Sequence, residues 1–420
     1  MIDVTRQFRT FDRPSQILMV NQFTINLGFY MLMPYLAGYL AGPLGLAAWV
    51  IGFVLGVRNF SQQGLFLVGG TLADRFGYKP MIIAGCVLRT VGFGLLAFAS
   101  SLPLIVLASA LTGFAGALFN PAVRAYLAAD AGERRLEAFA VFNMFYQAGI
   151  LLGPLVGLAL TMLDFRVTCI AAAIIFGALT VIQIVTLPAH HKEAASERTR
   201  IRDDWRTILR NRTFVLFAIT MISSYVLSFQ VYLALPLQAA VVAGPGRDDT
   251  ALVTSLFVVS GLVAVLAQLR ITKLCTRWLG RDRSLCIGLA VMAAAFVPLV
   301  VVGEPAVAGR VTAGVALLLC AALLAVGTAI VFPFEMDTIV ALSGGRLMGT
   351  HYGFYNTIVG VGILLGNLGT GALFGVFRDA DAGAFVWVVL VSLGVICAAT
   401  MALLVRARDL AAPPAVVGAG

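Results

Sequence analysis

A chain of 420 residues that is 60% hydrophobic and only 12% charged carries about half the charge of a soluble protein, for which roughly 25% is usual. Apolar runs of about twenty residues, each enough to cross a bilayer as a helix, recur from end to end and exclude a soluble globular or disordered chain. The formal charge of +9 does not call for nucleic acid, because membrane proteins gather Lys and Arg in the loops of one side.

The polar start carries Arg6, Arg9 and Arg13 and is compatible with a short surface helix. The first apolar run is long and lacks the short core of a cleavable signal peptide, so none is expected. Twelve spans follow, at about 15–41, 47–72, 81–99, 103–128, 138–162, 167–187, 213–240, 251–274, 283–302, 310–341, 350–376 and 384–405. Between the sixth and seventh lies the longest polar segment, with His190, His191, Lys192 and six arginines from Arg198 to Arg212. It divides the chain into an N-terminal six-helix bundle (1–187), a linker (188–212) and a C-terminal six-helix bundle (213–420).

An even number of spans puts both termini on one side. That side, with the linker, the loops around Asp74, Arg134, Arg277 and Arg346 and the flanking Arg270 and Lys273 at the end of span 8, collects 22 of the 29 Lys and Arg residues; the other collects four, Arg166, Arg247, Arg310 and Arg378. The remaining three, Arg58, Arg89 and Arg124, lie within spans. The bias places the termini and linker in the cytoplasm.

The halves resemble each other. Gly149-Ile150-Leu151-Leu152-Gly153-Pro154-Leu155 in span 5 recurs as Gly362-Ile363-Leu364-Leu365-Gly366-Asn367-Leu368 in span 11. The same offset of 213 lays Phe142-Asn143 on Tyr355-Asn356 and Arg124 on Asp337. Such equivalence is what a parallel six-plus-six repeat demands.

The run from Gly70 to Lys79, Gly-Thr-Leu-Ala-Asp-Arg-Phe-Gly-Tyr-Lys, resembles the signature loop between helices 2 and 3 of the major facilitator superfamily. Gly149, Gly153, Pro154 and Gly157 resemble the span-5 motif of its drug/proton antiporters. Arg58-Asn59-Phe60-Ser61-Gln62-Gln63-Gly64, with Asp164-Phe165-Arg166 and Gln230-Val231, is similar to the MdtH type of multidrug exporter. The resemblance implies an all-α membrane protein of twelve transmembrane helices in two pseudo-symmetric bundles. It also implies proton-coupled export of lipophilic compounds by alternating access. Two departures stand out: Ala108–Gly116 lacks the arginine of the family's span-4 motif, and Thr276 replaces aspartate in the second copy of the signature loop.

The resemblance casts Asp74 as part of a cytoplasmic latch, with Gly70, Arg75, Gly77 and Lys79 around it. Physically, a carboxylate there can meet the positive end of a helix or a basic neighbour, while Arg75 and Lys79 can clamp that contact or meet lipid headgroups. The bland alternative is a solvated turn. The four-residue spacing of Gly149 and Gly153 lets another helix approach closely, and Pro154 can kink span 5; packing or a hinge is the expectation, ahead of substrate contact. Arg58, well inside span 2 with Gln62 one turn on, is costly unless it faces a polar cavity or finds a partner. It is expected to face the central cavity and there meet an anionic substrate group or tune a proton site, or else to bond backbone carbonyls of a neighbouring helix. Asp164 is its nearest acid by topology. Arg89 reads as a structural partner, and His351 as a packed residue at the edge of span 11.

Glu335 and Asp337 in span 10 are the acids placed well inside a span, and therefore the candidates for proton binding; Arg124 is a possible pairing partner when the cytoplasmic side closes. The alternative puts both acids at headgroup level. The resemblance implies a cavity lined by spans 1, 4, 7 and 10 with their neighbours. Its polar candidates are Asn21, Gln22, Asn26 and Tyr30 in span 1, and Asn143, Tyr146 and Gln147 in span 5. Tyr225, Ser228 and Tyr232 in span 7 and Tyr355 and Asn356 in span 11 complete the set. Interhelical hydrogen bonding is the competing use of such groups.

The six cysteines form no CxxC and no Cys/His cluster, so neither a metal nor a disulfide framework is expected, and no cofactor is called for. No phosphate-binding GxxxxGK[ST] loop, HExxH or nucleophile elbow is present, which argues against an ATP-driven pump or a membrane enzyme. The expected partners are a small-molecule substrate, protons and the lipid bilayer, not nucleic acid, for a monomer in a bacterial plasma membrane. The rival readings are an exporter or flippase of a natural amphiphile and a non-transporting receptor or scaffold.

Overall fold

The computed structural model describes residues 7–32, 36, 39, 40, 44, 48–161, 164–188, 201–244, 250–302, 304–380 and 382–407. The first six residues, much of the end of span 1, residues 189–200 of the linker with both its histidines, Arg247 and residues 408–420 lie outside the described residues. All regular structure among the described residues is helical. Among these residues nine stretches are long and apolar enough to cross a membrane, and one of them, Leu102–Gly157, covers both span 4 and span 5.

The first half contributes α1 (Arg13–Tyr30), α2 (Ala48–Gln63), α3 (Phe66–Phe76), α4 (Tyr78–Phe98), α5 (Leu102–Ala131), α6 (Arg135–Thr161) and α7 (Phe165–Thr186). A linker helix, α8 (Ile201–Arg210), follows. The second half contributes α9 (Arg212–Phe229), α10 (Ala234–Ala243), α11 (Thr250–Trp278), α12 (Gly280–Ala294), α13 (Val297–Val302), α14 (Pro305–Ala308), α15 (Arg310–Ser343), α16 (Met348–Asp379) and α17 (Ala384–Arg406).

Three runs expected to be continuous are broken. Span 2 divides at Gly64 and Leu65, between α2 and α3. Span 7 passes through a tight turn at Gln230–Tyr232 before α10, because Pro236 has no N–H for the carbonyl of Tyr232. Span 9 divides between α12 and α13, where Pro298 withholds its bond from Ala294 in the same way. Span 10 stays one helix through Pro333. The linker holds an element the composition hid. Helix α8 has Asp203 and Asp204 in its first turn and Arg210 in its last, charges that suit the two ends of the helix dipole.

The chain forms two compact units. The first is Met1–Ile201 with Ala264–Leu266 and Gly349–Val361; the second is Arg202–Val263, Ala267–Met348 and Gly362–Gly420. In the first, α4 packs on α5 and α7, α1 on α6, and both α2 and α3 on α5. In the second, α12 packs on α15 and α17, and α9 on the same two helices. Spans 3, 4 and 6 and spans 9, 10 and 12 thus repeat one arrangement.

The glycines of the repeated heptapeptide occupy matching places. A Cβ on Gly149 would lie 2.5 Å from the Phe23 carbonyl oxygen, one on Gly153 2.7 Å from the Tyr30 Cβ, and one on Gly157 1.9 Å from the Met31 oxygen. All three hold α6 against α1, backbone to backbone. In the second unit, Gly362 faces Ile222 and Gly366 faces Val226 on α9. Pro154 sits inside α6 without interrupting it.

Candidate functional site

The signature loop is built around Gly77, which turns the chain between α3 and α4 at φ +94°, a conformation that only glycine adopts freely. Asp74, one turn earlier in α3, is bonded through both carboxylate oxygens. The Gly349 N–H donates to Oδ1 at 2.9 Å, and the Thr350 N–H and hydroxyl each donate to Oδ2 at 2.6 Å. The Tyr78 hydroxyl donates to Oδ1 at 3.2 Å. Gly349 and Thr350 open α16, so the carboxylate takes up amides that a helix start leaves unpaired, at its positive end. Burial, the largest influence, pushes the Asp74 pKa above its ordinary value, and the bonds from Thr350, Gly349 and Tyr78 oppose that rise without cancelling it.

Close approach is what permits this contact. A Cβ on Gly70 would lie 2.1 Å from the Gly349 carbonyl oxygen, and one on Gly353 2.4 Å from that of Phe66. One turn further along α16, the Thr357 hydroxyl accepts from the Leu67 amide at 3.1 Å and donates to the Gln63 carbonyl at 3.4 Å. It bridges the break in span 2. Thr350 and Thr357 were not among the residues singled out in the sequence; two threonines seven apart at the start of a span were the available signal.

The basic members of the loop do different work. Arg75 lies in the last turn of α3. Lys79 donates to the carbonyls of Ile184 (2.9 Å) and Leu187 (2.5 Å), closing the C-terminal end of α7 with a cation. Arg124 donates to the Asn356 side-chain oxygen at 2.9 Å. The second copy of the loop keeps its left-handed glycine, Gly280 at φ +71°, but Thr276 spends its hydroxyl on the Thr272 carbonyl.

Inside the first unit, the span-1 stripe is buried: Asn21, Gln22 and Asn26 are at most 6% exposed. Asn26 donates to the Tyr146 carbonyl on α6, and the Tyr30 side chain is a hydrogen-bonding neighbour of the Tyr146 hydroxyl. Asn21 Nδ2 and Gln22 Oε1 have no hydrogen-bond partner among the described residues. Asn143 is buried, and Gln147 is half-buried on the same helix. Of the span-11 candidates, Tyr355 is fully buried and Asn356 nearly so.

Arg58 donates to Asn59 Oδ1 (2.8 Å) and Gln62 Oε1 (3.2 Å), and its guanidinium lies 4.4 Å from the centroid of the Phe29 ring. Arg89 lies 5.8 Å from the same ring and 5.7 and 5.3 Å from those of Phe119 and Phe176. It is only 5% exposed. Asp164, the acid nearest Arg58 by topology, instead caps α7, accepting from the Arg166 amide.

In the second unit, the two acids of span 10 part company. Glu335 is 2% exposed, and the Tyr225 hydroxyl of α9 donates to its Oε1 at 2.7 Å. Ser228 and Thr328 continue that seam at 3.3 Å. Asp337 lies 3.9 Å from Arg281 Nη1 and lines an open recess of about 440 Å³ with Arg281, Asp282 and Arg283. Tyr232 is 44% exposed, its ring beside Phe229 and Phe257.

Membrane-length helices arranged twice over, with ionisable groups buried in each set, have the make-up of a transporter. The model of the Major Facilitator Superfamily matches residues 18–367, and the chain belongs to that superfamily: it is a membrane transporter with the all-α major facilitator fold, not an enzyme. It is 59% identical over 393 residues, 93% of each chain, to a protein of Mycobacterium tuberculosis (strain H37Rv) described as an uncharacterized MFS-type transporter. To the multidrug resistance protein MdtH of Shigella dysenteriae it is 29% identical over 384 residues, 90% of each chain. To MdtH of Salmonella paratyphi B it is 29% identical over 380 residues, 90% of this chain and 91% of that one.

Proposed function

We propose that the protein is a proton-coupled exporter of lipophilic, drug-like compounds in a bacterial plasma membrane, with both termini cytoplasmic. Its halves, 1–187 and 213–420 joined by the linker, alternate access to a midplane site. The observation that carries the proton coupling is Glu335, a carboxyl buried in the second unit on a tyrosine hydroxyl. A buried carboxyl inside a membrane span is costly when ionised and can exchange a proton as its surroundings alternate. Asp74 with its helix-start partners is the cytoplasmic latch, supported by Gly70, Arg75, Gly77, Lys79 and Arg124. The polar groups of spans 1, 2, 5, 7 and 11 supply substrate contacts. Export rests on the likeness to MdtH, and the inward-positive Lys/Arg bias supports the orientation. The working form is a monomer.

The test is proton flux from purified protein in proteoliposomes challenged with cationic, neutral and anionic amphiphiles. Substrate-driven proton release is expected from the wild type, with a loss of about tenfold or more in Glu335→Gln. Equal flux from both would refute the coupling. A second reading, export or flipping of a natural amphiphile, is favoured by the buried Arg89 and the half-buried Arg58 of the first unit.

A further inference from the structure

Spans 1–6 contain three arginines, Arg58, Arg89 and Arg124, and no carboxylate: the acids of that half are Asp3, Asp12, Asp74, Asp130, Glu133, Glu137 and Asp164, all at span ends or in loops. Arg124 has Asn356 for a partner. The other two both lie within 6 Å of the centre of one aromatic ring, Phe29, at 4.4 and 5.8 Å, and are near enough for Arg89 to act electrostatically on Arg58. Among the described residues, Arg58 bonds only neutral amide oxygens and its Nε has no partner. Arg89 is nearly fully buried, and its Nε and Nη1 likewise have none.

Aromatic faces offset part of a buried cation's cost. They do not replace the acceptors that in-plane guanidinium N–H groups require. Two such groups close together repel as well, so each raises the cost of the other. An intramembrane cation with unused donors is functional until shown otherwise, and what it lacks is an anion. The nearby hydroxyls of Tyr30 and Tyr146 can add neutral donors to such a group, and Phe29 offers an apolar wall beside it.

We propose that Arg58 and Arg89, with Tyr30 and Tyr146, form an internal receptor for the anionic head of an amphiphilic substrate, a carboxylate or phosphate monoester on an apolar body that lies against Phe29. The two guanidiniums neutralise the head and the rings of Phe29, Phe119 and Phe176 accept the body. This rests on the reading of Arg58 and Tyr30 as substrate-contacting residues and narrows its substrate class.

The test is equilibrium binding of radiolabelled naphthoate, naphthyl phosphate, naphthalenemethanol and naphthylmethylammonium to the full-length protein in zwitterionic nanodiscs. The two anions are expected to bind at least about tenfold more tightly than the alcohol and the ammonium compound. Arg58→Gln and Arg89→Gln are each expected to abolish that preference, Arg58→Lys to retain part of it, and Arg134→Gln, at the surface beside Glu137, to leave it intact. If Arg89→Gln does not fold, Arg58→Gln with its lysine rescue carries the test alone. Displacement of bound naphthyl phosphate by anionic lipid added to the nanodiscs would assign the receptor to a headgroup, and no displacement to a soluble anion. Equal binding of all four probes, or a preference that survives Arg58→Gln, would overturn the proposal. Proton-coupled transport of cations without any anion preference would leave the exporter reading standing while this one falls; anion binding without transport would do the reverse.

Discussion

Spans 5 and 11 share a glycine-bearing heptapeptide and lie against equivalent helices, yet the two contacts are made differently. On α6 the glycines meet main chain and Cβ atoms of α1, with a Cβ on Gly157 falling 1.9 Å from a carbonyl oxygen; on α16 they meet the branched side chains of Ile222 and Val226. Backbone cannot yield and side chains can turn. The halves differ in charge as well: the spans of the first hold arginines without carboxylates, while span 10 of the second holds Glu335 and Asp337. A duplicated scaffold has been given two different interiors.

That contrast can be broken at several points. The largest effect is expected in transport. Glu335→Gln should reduce proton-coupled flux about tenfold or more, while Asp337→Asn, at an open recess and beside Arg281, should stay within about threefold; reversed results would exchange the roles of the two acids. Next comes packing: Gly157→Ala should cost about 3 kcal/mol or more and Gly366→Ala about 1 kcal/mol, read as thermal unfolding of the purified variants. Equal costs would erase the distinction between backbone and side-chain contact. Thr350→Val, which removes one of the hydroxyl bonds to Asp74, should cost about 1 kcal/mol and speed labelling of a cysteine introduced at the start of α16.

The smallest effect is one of pH. Burial lifts the Asp74 pKa above its ordinary value, about 3.9 in an unfolded chain, so the native state keeps its proton to higher pH than the unfolded one. The stability this contributes is full below about pH 3.9 and declines as pH rises through the native value. The wild type's Tm advantage over Asp74→Asn should therefore shrink with rising pH; growth instead would mean that the hydrogen bonds to the carboxylate outweigh its burial.

Much of the scaffold was legible because hydrophobic runs, loop charge and a repeated glycine pattern are local properties. The helix breaks were less so, although Gly64, Pro236 and Pro298 stood in plain sight: a single punctuating residue inside a long apolar run has no fixed consequence until its neighbours supply or deny hydrogen bonds. Linker helix α8 was hidden by the same charges that place its ends. Asp74 was recognisable as a carboxylate able to meet a helix start, but which start could not be read, since Gly349 and Thr350 lie 275 and 276 residues away. Arg89 reads as a structural partner in the sequence, which shows a cation's position in a span and not whether its donors are used.

The bridge made by Thr357 has one more consequence. A single hydroxyl on α16 serves both edges of the gap between α2 and α3, so span 2 behaves as two rods pinned at a joint by a side chain from another element. Withdrawing the pin leaves the Leu67 amide without its acceptor in a low-dielectric setting, at about 1–3 kcal/mol. Straightening or bending of that joint is therefore tied to where the start of α16 stands, and the sense of the tie is mechanical: the rod cannot flex freely until the pin is drawn.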